Sequence, residues 1–567
     1  MEIIKLFTGY ECYFDYKPNI VAELKKIHGA YFNATKKCWV LPKITLQEEI
    51  DHLRFMFPNL SANNEIKPLQ EIQPLPELSV EIPLKRKLFH YQEQGVAYNI
   101  LHQRTLIGDD MGLGKTMQAV ATVVALNCKC TLVVCPASVK TGWVKEFEQV
   151  AGWKAVILND SIKNTWTNYT KYVVPPVRVF VTNYESMQKY FVQKINMPSK
   201  GDFKSSDVVL KETTNLFDCV IFDESHKLKE SKTKIARFAL AISNGKKYRF
   251  CLTGTPIQNK LIDILSQLAI LGFFGTLGKA LNYPFGTHSE FKKRFCDGAS
   301  GQGNSNEREL GVILQNTCYY RRLKSEVKKD MPPIIRNFIY CEIDNRKDYN
   351  IADKEIEKYL REKAGKSEMQ INRSLNAADI VAMQKCLELS AIGKIETVFE
   401  KIEEVLDCGE KYVLFATNKA VIEKILQRFP KISISFTGDH SQEQREKIKK
   451  KFQEDETCQL IVISMIAGGT GLDGLQHVCS RGGFIQLPWT SALLNQCESR
   501  LDRTGQTEPV QFDIFIGENT RDTDVWDIIA EKQALIEKVF DEKDPAITTQ
   551  EDINNNSLFN KTRTILT

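Results

Sequence analysis

The chain has 567 residues, 43 % of them apolar and 26 % charged, which is ordinary globular material for about three folding units. Its 76 basic and 71 acidic side chains leave a formal charge of only +5, which excludes a nucleic-acid surface spread over the whole chain and confines any such surface to a local patch. The 15 cysteines form no CxxC pair and have no companion His cluster, so a zinc site is not expected; nor is a signal peptide at MEIIKLFTGYECYF or a membrane span, since no apolar run reaches about 18 residues.

In chain order, the first boundary falls between Pro68 and Pro83, where LQEIQPLPELSVEIP carries several breakers and no sustained period. Short apolar, β-rich runs then alternate with amphipathic helical stretches. Before residue 260 these runs are TLVVCP, RVFVTN, FDCVIFDE and YRFCLTG; after residue 410 they are YVLFAT, ISISFTG, LIVIS, GFIQL and VQFDIFI. Near-continuous apolar strands separated by helices predict parallel sheets covered on both faces, and two such sets predict two α/β lobes. One intervening helix is legible in KIETVFEKIEEVLDC, where Ile395, Val398, Phe399, Ile402, Val405 and Leu406 recur at helical spacing. SGQGNSNERE, after Ala299, reads as an exposed loop, and the tail beyond Asp544 is polar. The expected division is therefore a small domain over 1–75, a first lobe over 84–275, an insertion and linker over 276–390, a second lobe over 391–540 and a polar tail over 541–567.

Chemistry enters at GDDMGLGKT, a loop that ends in Gly-Lys-Thr where a helical pattern begins. Backbone N–H groups and the positive helix end suit phosphates there; Lys115 would reach the β and γ phosphates and Thr116 would hold Mg²⁺. Asp109 stands where the usual phosphate loop has its first Gly. Downstream, DESH places Asp223 and Glu224 at the carboxyl end of an apolar run, where open α/β sheets bind ligands. Asp223 can orient the Mg²⁺ shell and Glu224 can polarise the attacking water.

From about Leu84 to Glu537 the chain resembles the Swi/Snf-like branch of helicase superfamily 2. The strings that carry the resemblance are LFHYQEQGV, GDDMGLGKT, VVCPASVKTGW, DESH, VTNYES, LTGTPIQN, YYRRLKSEVKKDMPP, FTGDHSQEQREKIKKKFQ, SMIAGGTGLDG and QCESRLDRTGQ. The resemblance implies an α/β fold with two RecA-like parallel-sheet lobes, and a DNA-stimulated ATPase that uses ATP and Mg²⁺. It implies Gln92 as the adenine-reading amide, Asp110, Gly112, Gly114, Lys115 and Thr116 as the nucleotide loop, and Asp223 and Glu224 at the hydrolysis centre. Thr253, Thr255, Gly469, Gly471 and Gln496 fall in coupling motifs. Arg500 and Arg503, three apart and able to share one helical face, would act as arginine fingers. Asp502 departs from the family, which has His before the second arginine.

Asp110 in the loop, Ser225 in DESH, and the ending GENTRDTDVWDIIAEKQ resemble the annealing-helicase, HARP-like subgroup. YECYFDYKPNIVAELKKIHGAYFNATKKCWVLP likewise resembles a HARP domain, a small α+β unit of strand, helix and a hairpin around Asn33 to Lys37 that closes on Trp39. Tyr31, Phe32, Lys36, Lys37 and Trp39 are its candidate DNA contacts, although a domain this small also needs aromatics for its core. The expected partner is forked DNA or a duplex/single-strand junction, bound by a monomer and away from membranes. The extension that recruits the single-strand-binding protein in family members has no counterpart ahead of this segment, which leaves that partner open. The expected compartment is the nucleus of a eukaryotic cell, or the cytoplasm of a prokaryotic cell or virus host. Chromatin remodelling and a defence-system motor are the alternative activities.

Overall fold

The computed structural model describes residues 2–6, 9–13, 18–27, 30–33, 38–42, 61–67, 72–199, 201–275, 283–296, 303–327, 334–363, 377–468, 472–503 and 505–540. Lys36, Lys37, Gly469, Gly471 and the tail lie outside them. The described residues form two compact units, one running to Leu323 and rejoined by the last helix from Leu535, the other running from Lys324 to Ala534.

The first unit opens with a small five-stranded sheet. Its strands are β1 (Glu2–Leu6), β2 (Gly9–Tyr13), β3 (Tyr31–Asn33), β4 (Cys38–Pro42) and β5 (Ser61–Lys67), in the order β3-β4-β2-β1-β5. The helix Pro18–Leu24 contributes Ile20 and Leu24 to a core shared with Cys12, Ile27, Trp39 and Leu41. Trp39 is buried at 9 % exposure and packs 6.0 Å from the ring of Phe32, which is 46 % exposed. Trp39 therefore serves the core, because β4 is the second strand in from its edge, whereas Phe32 on edge strand β3 faces solvent. Trp39→Ala is expected to cost about 3–5 kcal/mol, as large aromatic truncations in cores do. Hydrogen exchange in β2 and β4 would report it, and Phe32→Ala should leave that exchange unchanged.

The main sheet of this unit has seven parallel strands. They are β6 (Arg104–Ile107), β7 (Thr131–Cys135), β8 (Ala155–Ile157), β9 (Val179–Asn183), β12 (Cys219–Asp223), β13 (Tyr248–Leu252) and β14 (Tyr319–Tyr320), in the order β14-β6-β13-β12-β7-β9-β8. β7 and β13 are buried at every position, as strands covered on both faces must be. Between β9 and β12 the chain adds a separate two-stranded antiparallel pair, β10 (Val192–Ile195) and β11 (Val208–Leu210). This unit extends to Leu323: Phe285, Phe291, Phe295, Leu310, Leu314 and Tyr319 join its core, together with Ile536, Val539 and Phe540 from the last helix. The described residues between 283 and 323 thus pack with the first sheet, whereas the expected insertion began at 276. The end of SGQGNSNERE is also not an exposed loop. A helix begins at Glu307, and the carboxylate of Glu309, which is 8 % exposed, is gripped by Arg294.

The second unit holds six parallel strands in the order β15-β20-β19-β16-β18-β17. These are β15 (Ile334–Cys341), β16 (Tyr412–Ala416), β17 (Ser433–Phe436), β18 (Leu460–Ser464), β19 (Arg481–Phe484) and β20 (Val510–Gly517). The helix Ile395–Asp407 buries Ile395, Val398, Phe399, Ile402 and Val405, the stripe set by its spacing. The expected strand at GFIQL begins earlier, at Arg481, and includes two glycines that its neighbours require. A Cβ on Gly482 would stand 2.5 Å from the ring of Phe512, and one on Gly483 2.6 Å from the hydroxyl of Tyr412.

Candidate nucleotide site

In the first unit, the ends of three adjacent strands, β6, β13 and β12, carry the candidate residues. After β6, the loop from Gly108 leads into the helix Lys115–Ala125. Gly114 has φ +77°, and a Cβ there would meet the Gln92 amide nitrogen at 2.4 Å. Gln92 itself is 3 % exposed and donates to the Leu113 carbonyl at 3.1 Å, so the amide is held against the loop. Lys115 folds back on its own loop, donating to the carbonyls of Asp109 (2.6 Å) and Asp110 (3.3 Å). Burial pushes its pKa down, while Glu224, Asp109, Asp110 and Asp223 push the other way. Thr116 follows in the first helical turn, and Gly112 also has positive φ, +83°.

Asp109, which had no role as a departure from the Gly pattern, is fully buried and bound to Arg322, 213 positions away. Arg322 Nε donates to it at 2.9 Å, as does the Arg322 backbone N–H at 3.1 Å, and Gln118 Nε2 donates at 2.8 Å. Arg321 pairs with Asp110 at 2.9 Å. The backbone ladder of β14 continues alongside, with Gly108 N–H donating to Tyr320 O and Asp110 N–H to Arg322 O. The phosphate loop is thus shaped by YYRR, which the sequence marked only as a connection. Arg322→Ala would leave a buried carboxylate unpaired and is expected to cost about 3–5 kcal/mol, seen as a lower denaturant midpoint. Combining Asp109→Asn with Arg322→Met should recover most of the loss, because no buried charge then remains.

At the end of β12, Asp223 accepts hydrogen bonds from Trp143 Nε1 (2.8 Å) and from the Glu224 N–H (3.0 Å). Burial, and then the charge of Glu224, raise its pKa to about 6, against the pull of Trp143 and Lys115. Glu224 occupies the left-handed region at φ 51°, ψ 49°, a strained conformation for a residue with a Cβ and one that recurs at functional sites. Its carboxylate lies 3.2 Å from His226 Nδ1, which is 3.0 Å from Thr253 Oγ1, and that oxygen accepts the Thr255 N–H at 3.1 Å. One polar chain therefore joins Glu224 to Thr253 and Thr255 after β13. His226, its middle member, had no role legible in DESH, because its partner Thr253 lies 27 positions further on. Ser225 points away from this chain and donates to Gln267 Oε1 at 2.7 Å.

In the second unit, the helix Ser491–Glu498 ends before Arg500, so Arg500 and Arg503 do not share a helical face. They lie on the following turn and converge instead on one carboxylate: Arg500 reaches Asp473 Oδ1 at 3.2 Å and Arg503 binds the same oxygen. Burial alone would raise the Asp473 pKa, but Arg503 and Arg500 hold it below the usual carboxylate range. The acids flanking these arginines are taken by other cations. Arg336 grips Glu498 through two 2.7 Å bonds, and Lys324 donates to both the carbonyl and the carboxylate of Asp502 at 2.6 Å. Asp502, where the family has His, is thereby an anchor for the turn. Gln496 is buried at 8 % exposure in the preceding helix.

The SNF2-related domain matches residues 91–389 and the helicase conserved C-terminal domain residues 394–505. The first match alone covers more than half of the chain, which therefore belongs to the SNF2-related family of helicase-superfamily ATPases. Among its relatives, the SWI/SNF-related matrix-associated actin-dependent regulator of chromatin subfamily A-like protein 1 of Xenopus tropicalis is 27 % identical over 82 % of this chain and 46 % of its own length. The human DNA annealing helicase and endonuclease ZRANB3 is 25 % identical over 79 % of this chain and 40 % of its own. The chain thus spans less than half the length of these two relatives. The Sulfolobus solfataricus SWI2/SNF2 ATPase core in complex with dsDNA is 22 % identical over 81 % of this chain and 94 % of its own, with a TM-score of 0.37.

Proposed function

We propose that this chain is an ATP-dependent DNA translocase that rewinds or remodels forked DNA, an annealing helicase. The observation that carries the ATPase part is the polar chain from Glu224 through His226 to Thr253 and Thr255, beside a phosphate loop whose lysine is held on the loop's own backbone carbonyls. The donor set suits Mg-ATP: a Lys, a row of loop N–H groups, a hydroxyl at Thr116 and a carboxylate at Asp223. When bound, Mg²⁺ neutralises charge on the transferring phosphoryl group. Lys115 exchanges its loop carbonyls for phosphate oxygens, Gln92 reads adenine, and Glu224 takes up a proton from the attacking water. His226 can pass the altered charge at Glu224 on to Thr253 and the segment after β13. Arg500 and Arg503 take the part of arginine fingers in this reading, since a planar guanidinium suits a transferring phosphoryl group.

The DNA part rests on family membership and on relatives that bear annealing-helicase names. Contacts to phosphate would dominate, so no base sequence should be preferred. Other relatives bear chromatin-regulator names, which makes nucleosome remodelling the rival reading. ATPase rates with forked, duplex, single-stranded and nucleosomal DNA separate the two: forked DNA should stimulate most, and a larger response to nucleosomes than to naked forks would overturn the annealing reading.

A further inference from the structure

After β12, two consecutive residues of the DESH turn part company. His226 reaches Thr253 Oγ1, whereas Ser225, fully buried, turns into the protein and donates to Gln267 Oε1 at 2.7 Å. Gln267 lies on the helix Leu265–Leu271, beyond the end of LTGTPIQN, and is itself fully buried. Its amide nitrogen donates to the Pro256 carbonyl at 2.9 Å and to the Asp263 carbonyl at 3.4 Å. The amide thus uses its oxygen and both N–H groups inside the protein, and each partner belongs to a different stretch of chain.

These bonds fix the segment that follows β13. Thr253 is held through His226 and Pro256 through Gln267, so the DESH turn grips this segment on both sides of Thr255. Beyond Pro256 the Asp263 carboxylate accepts the N–H groups of Gln258 (3.2 Å), Asn259 (2.7 Å) and Lys260 (3.3 Å). The segment also lies against the phosphate loop. A Cβ on Gly254 would stand 3.3 Å from the Met111 side chain and 3.6 Å from the Asp109 carbonyl, the same carbonyl that accepts from Lys115. Residues 253–260 therefore cannot shift without disturbing both the loop and the turn that carries Glu224. A buried hydrogen-bond network whose members are all satisfied specifies one arrangement. An apolar side chain at position 267 would fill the same space and let the turn and the segment shift independently.

We propose that Gln267 is a positioning residue of the ATPase cycle. With Ser225 it locks the DESH turn to residues 253–260, so that a displacement of that segment on DNA binding is felt at Glu224. Gln267 touches no nucleotide in this role and acts through Ser225 and the Pro256 carbonyl. The inference rests on the reading of the chain as a DNA-stimulated ATPase, and it adds a buried, uncharged link beside the one through His226.

The test compares ATP hydrolysis by the full chain with and without random-sequence duplex DNA, for Gln267→Met, Ser225→Ala and the double variant. Gln267→Met should lower the DNA-stimulated kcat by about tenfold, the size of an ordinary coupling between sites, while the rate without DNA, the KM for ATP and the affinity for DNA stay at wild-type values. Ser225→Ala should do the same with the side chain at 267 untouched, and it carries the expectation should Gln267→Met not fold. The double variant should lose no more stimulation than either single one, because both cut the same link. An undiminished stimulated rate in the single variants overturns the proposal. An equal fall in the rates with and without DNA also overturns it, since a purely structural role would give that result, and so do losses that add in the double variant. Wild-type protein that DNA does not stimulate would remove the DNA-stimulated reading itself, and this proposal with it.

Discussion

Glu224→Gln is expected to lower ATP turnover by about 10²–10⁴-fold, the range supplied by a positioned general base, while ATP and DNA binding persist. The amide keeps the shape of the side chain, including reach toward His226 at 3.2 Å, but cannot take a proton from water. A second consequence follows from the carboxylate next door. Glu224 is the second cause, after burial, of the raised pKa of Asp223, so removing its charge lets Asp223 ionise more readily. Mg²⁺-dependent nucleotide binding should therefore be retained or strengthened as turnover falls. Single-turnover hydrolysis and nucleotide titration on the same preparation would show the split. Turnover close to wild type would remove Glu224 from the chemistry.

Arg500→Ala and Arg503→Ala are each expected to slow turnover by roughly 10³-fold or more, as loss of an arginine finger does. The structure sharpens what these variants test. Both guanidinium groups rest on Asp473, while Arg336 and Lys324 hold the acids on either side of Arg500, so the turn should survive either truncation. A large loss of stability is therefore not expected, and an unchanged melting temperature accompanies the kinetic defect. Lysine at either position should rescue little, since an ammonium cannot present the planar fork that binds phosphate bidentately. A variant whose sole defect is weaker ATP affinity would not be missing a finger.

Much of the architecture was legible because it is written in local periods. The buried runs TLVVC, CVIFD, YVLFA and LIVIS all became parallel strands, and the 3.6-residue stripe of Ile395–Asp407 became a buried helix face. The residue types of the nucleotide site were legible for a related reason. Gly-Lys-Thr falls at a helix start and Asp-Glu at a strand end, and those positions can be located from the same local pattern.

Partnership between distant segments was not legible. Asp109 lies 213 positions from Arg322 and Glu498 lies 162 from Arg336, and each pair depends on which strands are neighbours. Nothing in a window of a dozen residues encodes that order, so Asp109 read as a flaw in a motif and YYRR as a linker. The choice between stacking and core for Trp39 was undecidable for the same reason, since it rests on whether β4 is an edge strand or an interior one. The convergence of Arg500 and Arg503 on Asp473 was hidden too, because the helix that precedes them stops at Glu498. By itself, then, the sequence determined the two-lobed α/β class and marked the candidate site residues, whose motifs are local. The tertiary structure decided which charges are paired and which aromatic is core, because burial and ion pairing are properties of neighbours in space.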